Sequence, residues 1–235
     1  MSGTTISATT NRCEPTFAAA TRIQESFIAS VEKRTLIWLA QRTPAWINSD
    51  HLTLLGFISQ CLAGACYALA RFNPDALLAG IVCLALNWLG DSLDGTLARV
   101  RNRQRPRYGF YVDHIADSIA ALFLMGGLGL SGYVHPGIAL GMLVAFLMLS
   151  IEAYLATYTL GRFQLSYWKF GPTEIRILLA IGNLALLRHP AIKVLGRQVL
   201  LFDLGGVIAI FGMAIILTIS AVKHTAQLYK QEPLA

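Results

Sequence analysis

Charged residues are scarce in this sequence: Asp, Glu, Lys and Arg make up 14% of its 235 positions. A soluble domain usually contains about 25% charged residues. Hydrophobic residues reach 55% of the chain and occur in runs close to the length of about 20 residues that crosses a bilayer as a helix. This composition excludes an ordinary soluble domain and predicts an all-α polytopic membrane protein.

Two other features are missing. Residues 1–15 are polar and rich in Ser and Thr, without an apolar run, which predicts a disordered N-terminus and no signal peptide. The four cysteines lack the spacing of a metal site and suit small buried thiols, so no disulfide is expected.

The net charge of +6 suits an anionic membrane surface. Nucleic-acid binding gives the same sign, but the apolar runs argue against a nucleic-acid partner.

The apolar runs predict six transmembrane helices in a membrane domain over residues 48–230. Residues 16–47 place apolar side chains at helical intervals between charged ones, which predicts an amphipathic juxtamembrane helix. That helix lies either in the membrane interface or on the cytosolic face of the protein itself. The six predicted spans, of which the fifth is the shortest, are Leu52–Ala70, Ala76–Ala98, Gly109–Leu130, Gly137–Leu160, Glu174–Leu187 and Leu200–Val222.

Basic residues orient the predicted bundle. With the N-terminus inside, 15 of the 19 Lys and Arg residues fall on inside segments and four fall on outside loops. This distribution predicts an integral protein of a cell membrane, such as the bacterial inner membrane, with the arginine-rich segment 99–107 in the cytosol. Glycines in the third and fourth spans allow close helix packing, either within one protomer or in a homodimer.

Four aspartates interrupt two of the apolar spans. Asp91 and Asp94 lie near the end of the second span, and Asp113 and Asp117 lie in the third. A carboxylate at the centre of a membrane helix costs about 2.5–3.5 kcal/mol, and such residues usually mark a functional site. Helical periodicity puts each pair on one side of its helix, and antiparallel pairing of the two helices brings all four together near the cytosolic surface.

Four carboxylates form a donor set that suits hard cations such as Mg²⁺, Mn²⁺ or Ca²⁺. Two such ions can clamp the attacking and leaving oxygens of a phosphoryl displacement. Gly95, Ala98 and Gly109 are small residues on the same surface and leave room for a bulky ligand, while Arg99 can hold a phosphate through its planar guanidinium. The alternative is that the acids form ion pairs with the loop arginines.

The pattern D-x2-D-G-x2-A-R, followed by G-x3-D-x3-D, resembles the signature of the CDP-alcohol phosphotransferases. The segment Asp50–Gly56 also resembles the family's entry to its first helix. The resemblance implies a six-helix membrane enzyme of phospholipid biosynthesis, which transfers a substituted phosphate from a CDP-alcohol to a second alcohol and releases CMP. Its partners would be the donor, the acceptor and membrane lipids. The matching positions are Asp91, Asp94, Gly95, Ala98, Arg99, Gly109, Asp113 and Asp117.

The resemblance also implies roles for these residues. The first three aspartates would bind divalent metal, Mg²⁺ or Mn²⁺ and two ions in all. Asp117 would contribute to the metal site and serve as the candidate base, because the acceptor hydroxyl must lose its proton as it attacks phosphorus. The nucleotide pocket would be lined by Gly95, Ala98, Arg99 and Gly109.

Two observations point to different acceptors. The stretch Asp113–Ser118 resembles the D-H-x-x-D-S segment of choline/ethanolamine phosphotransferases. In those enzymes the histidine is a candidate base and diacylglycerol is the acceptor. This resemblance makes His114 a second candidate base; the alternative is that His114 is a packed polar residue. Arg162, Lys169 and Arg176 instead suit a phosphate on a polar acceptor, as in phosphatidylglycerophosphate or phosphatidylinositol phosphate synthases. Those enzymes use CDP-diacylglycerol, which we favour as the donor. The three basic residues could also serve only topology and lipid binding.

Glu152 is a fifth acid inside a predicted span, and it either faces the acceptor pocket or hydrogen-bonds within the bundle. Two rival functions also account for intramembrane acids. A cation transporter would place acids along a path that reaches both faces of the membrane, whereas these four are predicted at one face. A catalytically silent lipid-binding scaffold would not require an intact motif.

Overall fold

The structure, a computed structural model, describes residues 21–23, 29–164, 171–194 and 196–232. Helices dominate these residues, which confirms the all-α prediction. α1 follows from an amphipathic pattern, and the later helices follow from long apolar runs. Prolines begin α4, α5 and α6 at a position where the missing N–H is not needed. The helices are α1 Ala29–Arg42, α2 Ser49–Ala70, α3 Ala76–Val100, α4 Pro106–Leu130, α5 Pro136–Leu160, α6 Pro172–Arg188 and α7 Leu201–Gln231.

The strands are short and lie before or after helices in the chain. β1 (Thr21–Ile23) pairs in parallel with β2 (Arg162–Gln164), which follows α5. β3 (Ala191–Val194) and β4 (Arg197–Leu200) form an antiparallel hairpin between α6 and α7.

Five helices, α2, α3, α4, α5 and α7, are long and apolar enough to cross a membrane. The chain is therefore an integral membrane protein, as the composition predicted. α6 occupies the predicted fifth span; its 17 residues lie at the lower limit of about 17 for a spanning helix. α7 continues to Gln231, nine residues beyond the predicted end at Val222, because its last turns stay helical after the apolar run has ended.

The predicted juxtamembrane helix over residues 16–47 is shorter in the structure. Thr21–Ile23 form a strand where a helix was predicted, because pairing with the distant segment Arg162–Gln164 overrides the local pattern. The helix begins at Ala29 and ends at Arg42. Residues 1–20 and 24–28, including the predicted disordered N-terminus, lie outside the described residues.

α1 packs on α3 along one row and exposes apolar side chains on its other side. Glu32, Leu36 and Ala40 are buried at successive helical turns. Val31 and Trp38 are 64% and 52% exposed, as expected for a helix that also contacts lipid. The packing on α3 agrees with the second predicted placement, and contact with the membrane interface stays a prediction.

α2, α3 and α4 form the tightest part of the bundle. A Cβ atom at Gly127 would lie 1.9 Å from the carbonyl oxygen of Gly64, so α4 and α2 are in backbone contact. Gly90 places α3 equally close to α2, since a Cβ there would lie 2.5 Å from the backbone nitrogen of Gly56. These contacts lie within one chain, and they hold the two aspartate-bearing helices, α3 and α4, against α2.

Candidate metal centre

The motif aspartates, Asp91, Asp94, Asp113 and Asp117, lie on α3 and α4, which a short loop connects and which both pack on α2 rather than mainly on each other. Asn102 turns the chain with a φ of 53°, a left-handed conformation that asparagine tolerates better than most residues. The Arg101 guanidinium donates hydrogen bonds to the carbonyls of Thr43, Pro44 and Ile47, which anchors the loop to the segment between α1 and α2.

The structure brings the motif aspartates together. Carboxylate oxygens of Asp91, Asp113 and Asp117 lie within 4.8 Å of one another. Asp94 lines the same small cavity, together with Thr53 from α2. All four side chains are partly buried. The convergence that helical periodicity predicted is therefore observed, with Asp117 rather than Asp94 in the closest group of three.

Thr53 fixes the orientation of Asp94. Its hydroxyl donates a hydrogen bond of 2.7 Å to Asp94 Oδ2, and the Gly95 N–H donates to Oδ1. Ser49, one turn earlier on α2, donates to the Asp94 backbone carbonyl at 2.8 Å. The first turn of α2 therefore supports the end of α3. The resemblance of the segment Asp50–Gly56 to the family's entry to its first helix gave no indication of these contacts.

The donor set fits a divalent cation. Several carboxylates in one cavity repel each other, and a hard cation that accepts their oxygens removes that repulsion. A guanidinium offsets one negative charge, whereas Mg²⁺ or Mn²⁺ offsets two. The cluster is therefore chemically suited to a metal ion.

Arg176 reaches the cluster from α6. Its Nη2 lies 2.6 Å from Asp91 Oδ2, and its Nε donates to Asn87 Oδ1 at 2.7 Å. Asn87 in turn donates to the Gly56 carbonyl at 3.0 Å, so a chain of polar contacts joins α6, α3 and α2. Asn87 was missed from the sequence, although it lies one turn before Asp91 and is a polar residue in an apolar span.

Of the three basic residues proposed for the acceptor, Arg176 lies in the site, and the side chains of the other two are outside the part of the chain that the structure describes. Lys169 lies outside the described residues, and the Arg162 backbone belongs to β2. In the arginine-rich loop, Arg105 pairs with Asp50 at the start of α2, and that hydrogen bond raises the pKa of the Arg105 guanidinium.

His114 is packed between two aromatic rings beside the cluster. Its ring stacks on Phe110 with 4.1 Å between centroids and meets the edge of Tyr154 at 4.9 Å. Nδ1 lies 2.7 Å from the Phe110 carbonyl oxygen, a contact that requires the proton on Nδ1. Nε2 is then the basic nitrogen of the neutral ring.

The predicted nucleotide-binding residues border an open surface beside the cavity. Arg99 is exposed, and its Nη2 donates to Thr96 Oγ1 at 3.0 Å. Among the residues that the structure describes, nothing lies within 4 Å of a Cβ built at Gly109, and a Cβ at Gly95 would meet only Arg99. Together with Ala98, which is partly buried, these residues leave space next to the motif aspartates.

Glu152 follows the second of the two predicted alternatives and hydrogen-bonds within the bundle. Its Oε1 lies 2.6 Å from Nδ1 of His224 in α7, and both side chains are largely buried. This pair joins α5 to α7.

The comparisons with known proteins agree with the site. The model of the CDP-alcohol phosphatidyltransferase family matches residues 46–221. An archaetidylinositol phosphate synthase from Methanothermobacter thermautotrophicus is 32% identical over 112 residues, which cover 46% of this chain and 54% of that protein. Cholinephosphotransferase 1 from Gallus gallus is 27% identical over 152 residues, which cover 61% of this chain and 44% of that protein. The chain spans about half the length of these relatives. Because the family model covers most of the sequence, this chain belongs to the CDP-alcohol phosphatidyltransferase family.

Proposed function

We propose that this protein is a metal-dependent enzyme of phospholipid biosynthesis. It transfers a substituted phosphate from a CDP-alcohol to an alcohol acceptor and releases CMP. The observation that carries this proposal is the meeting of the motif aspartates in one cavity, with Asp91, Asp113 and Asp117 within 4.8 Å of one another. Family membership favours the enzyme over the cation transporter and the silent lipid scaffold.

Asp91, Asp94, Asp113 and Asp117 would hold Mg²⁺ or Mn²⁺, with two ions in the cluster. When bound, these ions supply charge neutralisation to a phosphoryl group in displacement. Arg176 pairs with Asp91 Oδ2 and so competes with a metal ion for that oxygen. Thr53, by contrast, keeps Asp94 oriented for binding the metal. Such supporting contacts to ligands commonly change metal affinity about 10–100-fold when they are lost.

The donor's cytidine diphosphate would lie on the open surface formed by Gly95, Ala98, Arg99 and Gly109. A cavity of about 390 Å³ between α1, α3 and α6 reaches the same site, because Arg176 lines it and also binds Asp91. Most of its lining residues are apolar, Leu84, Trp88 and Ile177 among them, and the polar ones are Glu32, Thr35, Thr173 and Arg176. An apolar cavity next to the reacting group suits a hydrocarbon chain, which supports CDP-diacylglycerol as the donor.

The acceptor would meet Arg176 and Asp117. Arg176 can hold a phosphate on a polar acceptor through its fork of N–H groups. Asp117 would take the proton of the acceptor hydroxyl while the new P–O bond forms and the bond to CMP breaks. We favour Asp117 over His114 as the base because Asp117 belongs to the closest group of three acids.

A second candidate function is that of a choline/ethanolamine-type phosphotransferase with a diacylglycerol-like acceptor. The observation that favours it is His114, whose Nδ1–H is held by the Phe110 carbonyl and whose Nε2 is therefore basic. In this case His114 would be the base, and Asp117 would act only at the metal.

We also propose a location in a cell membrane such as the bacterial inner membrane, with the α3–α4 loop in the cytosol. The basis is the distribution of basic residues, 15 inside against four outside. A cysteine placed at Gln104 should be labelled only from the inner side, and labelling from outside would overturn this orientation. The membrane domain over residues 48–230, the partners among membrane lipids and a homodimer stay predictions, and no nucleic-acid partner is proposed.

The proposed reaction is tested by CMP release from purified protein. CDP-diacylglycerol, CDP-choline and CDP-ethanolamine should each be combined with glycerol 3-phosphate, inositol phosphate and diacylglycerol, with Mg²⁺ or Mn²⁺ present. We expect CMP from CDP-diacylglycerol with a phosphorylated polyol. Release from CDP-choline or CDP-ethanolamine with diacylglycerol would select the second candidate. No release from any pair, by protein that is folded and binds Mn²⁺, would contradict both.

A further inference from the structure

Glu32 is a buried carboxylate on the interfacial helix α1. It is 6% exposed and lies on the same face as Leu36 and Ala40, the face that packs on α3. An ionised carboxylate is costly to bury unless hydrogen bonds compensate it. An apolar side chain of similar volume is often as stable or more stable in such a place. Packing alone therefore does not explain an acid here.

The contacts of Glu32 join three helices. Oε1 accepts hydrogen bonds from Trp88 Nε1 at 2.9 Å and Ser92 Oγ at 3.4 Å, both on α3. It also accepts one from Thr173 Oγ1 at 2.7 Å, in the first turn of α6. One oxygen on α1 thus holds α3 and α6 together.

The same two helices carry the ion pair of the metal centre. Ser92 directly follows Asp91, and Thr173 precedes Arg176 by about one turn. Arg176 Nη2 lies 2.6 Å from Asp91 Oδ2, and both side chains are mostly buried. The contacts therefore form a closed ring that runs from Glu32 through α6 to Arg176, across to Asp91, and back through α3.

We propose that Glu32 is a positioning residue that sets the separation of α3 and α6, and hence how firmly Arg176 holds Asp91. The inference rests on the proposed function only in taking the motif aspartates as metal ligands. Because α1 also exposes Val31 and Trp38 towards lipid, a movement of this helix at the membrane surface would reach Asp91 through the Glu32 carboxylate.

Mn²⁺ binding, followed by electron paramagnetic resonance on purified protein, tests the proposal without turnover. Arg176→Ala removes a positive charge beside Asp91 and should tighten Mn²⁺ binding about tenfold. Glu32→Leu should tighten it about threefold, because Arg176 is then held less firmly. In the Arg176→Ala background, Glu32→Leu should add nothing. An equal effect of Glu32→Leu in both backgrounds, or no effect in either, would overturn the proposal.

Two further variants keep the test decisive if Glu32→Leu folds poorly. Thr173→Val keeps the shape of the side chain but removes the hydrogen bond from α6, and it should shift Mn²⁺ binding in the same direction as Glu32→Leu. Leu36→Ala, one turn along α1, weakens packing without touching the ring of contacts. It should lower thermal stability and leave Mn²⁺ affinity unchanged. If Leu36→Ala shifts Mn²⁺ affinity as much as Glu32→Leu does, Glu32 acts only through packing and the proposal is wrong.

A distance measurement separates failure of this inference from failure of the proposed function. Spin labels at exposed Leu86 on α3 and Ile181 on α6, in a background without native cysteines, report the separation of the two helices whether or not metal binds. Glu32→Leu and Thr173→Val should lengthen or broaden this distance, and Leu36→Ala should not. An unchanged distribution in the first two variants would refute the positioning role, even in a protein that binds Mn²⁺ and releases CMP.

Discussion

The two parts of the helical bundle differ in how much of their surface the protein itself covers. The share of buried residues in the most apolar part of each helix is 33% in α2 and in α3 and 28% in α4. The same share is only 11% in α5 and in α7. The motif aspartates lie on α3 and α4, braced by α2. This difference indicates that the site is held by the closely packed helices, while α5 and α7 leave most of their surface uncovered by the rest of the chain that the structure describes.

The close packing has a physical purpose. Ligands to a metal must be held to within a fraction of an ångström, which flexible or loosely packed elements do not achieve. Backbone contact between α2 and α4 at Gly64 and Gly127 leaves no room for sliding. The looser helices have polar contacts of their own, such as that between Glu152 and His224, which joins α5 to α7 rather than to the cluster.

The largest effect is expected from the charges of the cluster. Asp91→Asn, Asp94→Asn or Asp113→Asn should abolish CMP release, because Asn keeps the volume but loses the charge that holds a divalent ion. The variant proteins should stay inserted in the membrane, and after purification they should stay folded, which size-exclusion chromatography checks. EDTA should silence the wild type, and Mg²⁺ or Mn²⁺ should restore it; full activity in excess EDTA would rule out the metal.

The next effect separates the two candidate bases. Asp117→Asn should lower kcat by about 10²–10⁴-fold, the usual loss when a general base is removed, while His114→Ala keeps most of the activity. Mn²⁺ affinity has to be measured in both variants, since Asp117 also belongs to the cluster. If Asp117→Asn binds metal normally and turns over near the wild-type rate, Asp117 is not the base. A loss of that size in His114→Ala would move the role to the histidine.

A third variant breaks the packing of the site helices directly. Gly127→Ala places a Cβ where the carbonyl of Gly64 lies and should destabilise the protein by at least about 1–3 kcal/mol, the usual cost of overpacking. Gly126→Ala is the matched control, because no described residue lies within 4 Å of its added Cβ. Thermal unfolding in detergent should show a loss for Gly127→Ala alone. Equal behaviour of the two variants would mean that α2 and α4 are not in close contact.

The smallest effect on catalysis is expected in the looser part of the bundle. Glu152→Gln weakens the contact with His224 and should lower stability by about 0.5–1.5 kcal/mol, the net worth of a typical hydrogen bond. Activity should stay within about twofold of wild type, because in the described residues neither side chain of this pair contacts the motif aspartates. The substitution weakens one hydrogen bond and leaves the reacting groups in place. CMP release and thermal unfolding are the two measurements. A large fall in kcat at unchanged stability would return Glu152 to the acceptor pocket.

The sequence predicted those features that depend on neighbouring residues along the chain. Apolar runs predicted the helices, and the four-residue spacing of Asp113 and Asp117 predicted a shared face. The short loop between α3 and α4 predicted that these helices run antiparallel, which places Asp91 and Asp94 near Asp113 and Asp117. Direct pairing of the two helices was also expected, but in the structure both pack on α2 instead. These inferences need only helical geometry and the length of a connection.

Features that depend on distant parts of the chain were not predictable in the same way. The strand at Thr21–Ile23 forms because it meets Arg162–Gln164, and no local pattern indicates such a partner. The contact of Arg176 with Asp91 depends on where α6 packs against α3, which apolar periodicity leaves open because both helices are apolar on several faces. The Glu32 contacts with α3 and α6 were missed for the same reason.

The most direct test of the metal centre is to locate the ion itself. Crystals grown with Mn²⁺ and a CDP-alcohol should show anomalous density between α3 and α4, in contact with the carboxylates of Asp91, Asp113 and Asp117. The same crystals of Asp91→Asn should lose that density or show it much weakened. Mn²⁺ bound elsewhere, or well-ordered nucleotide beside an aspartate cluster that holds no ion, would contradict a metal-dependent transfer at this site.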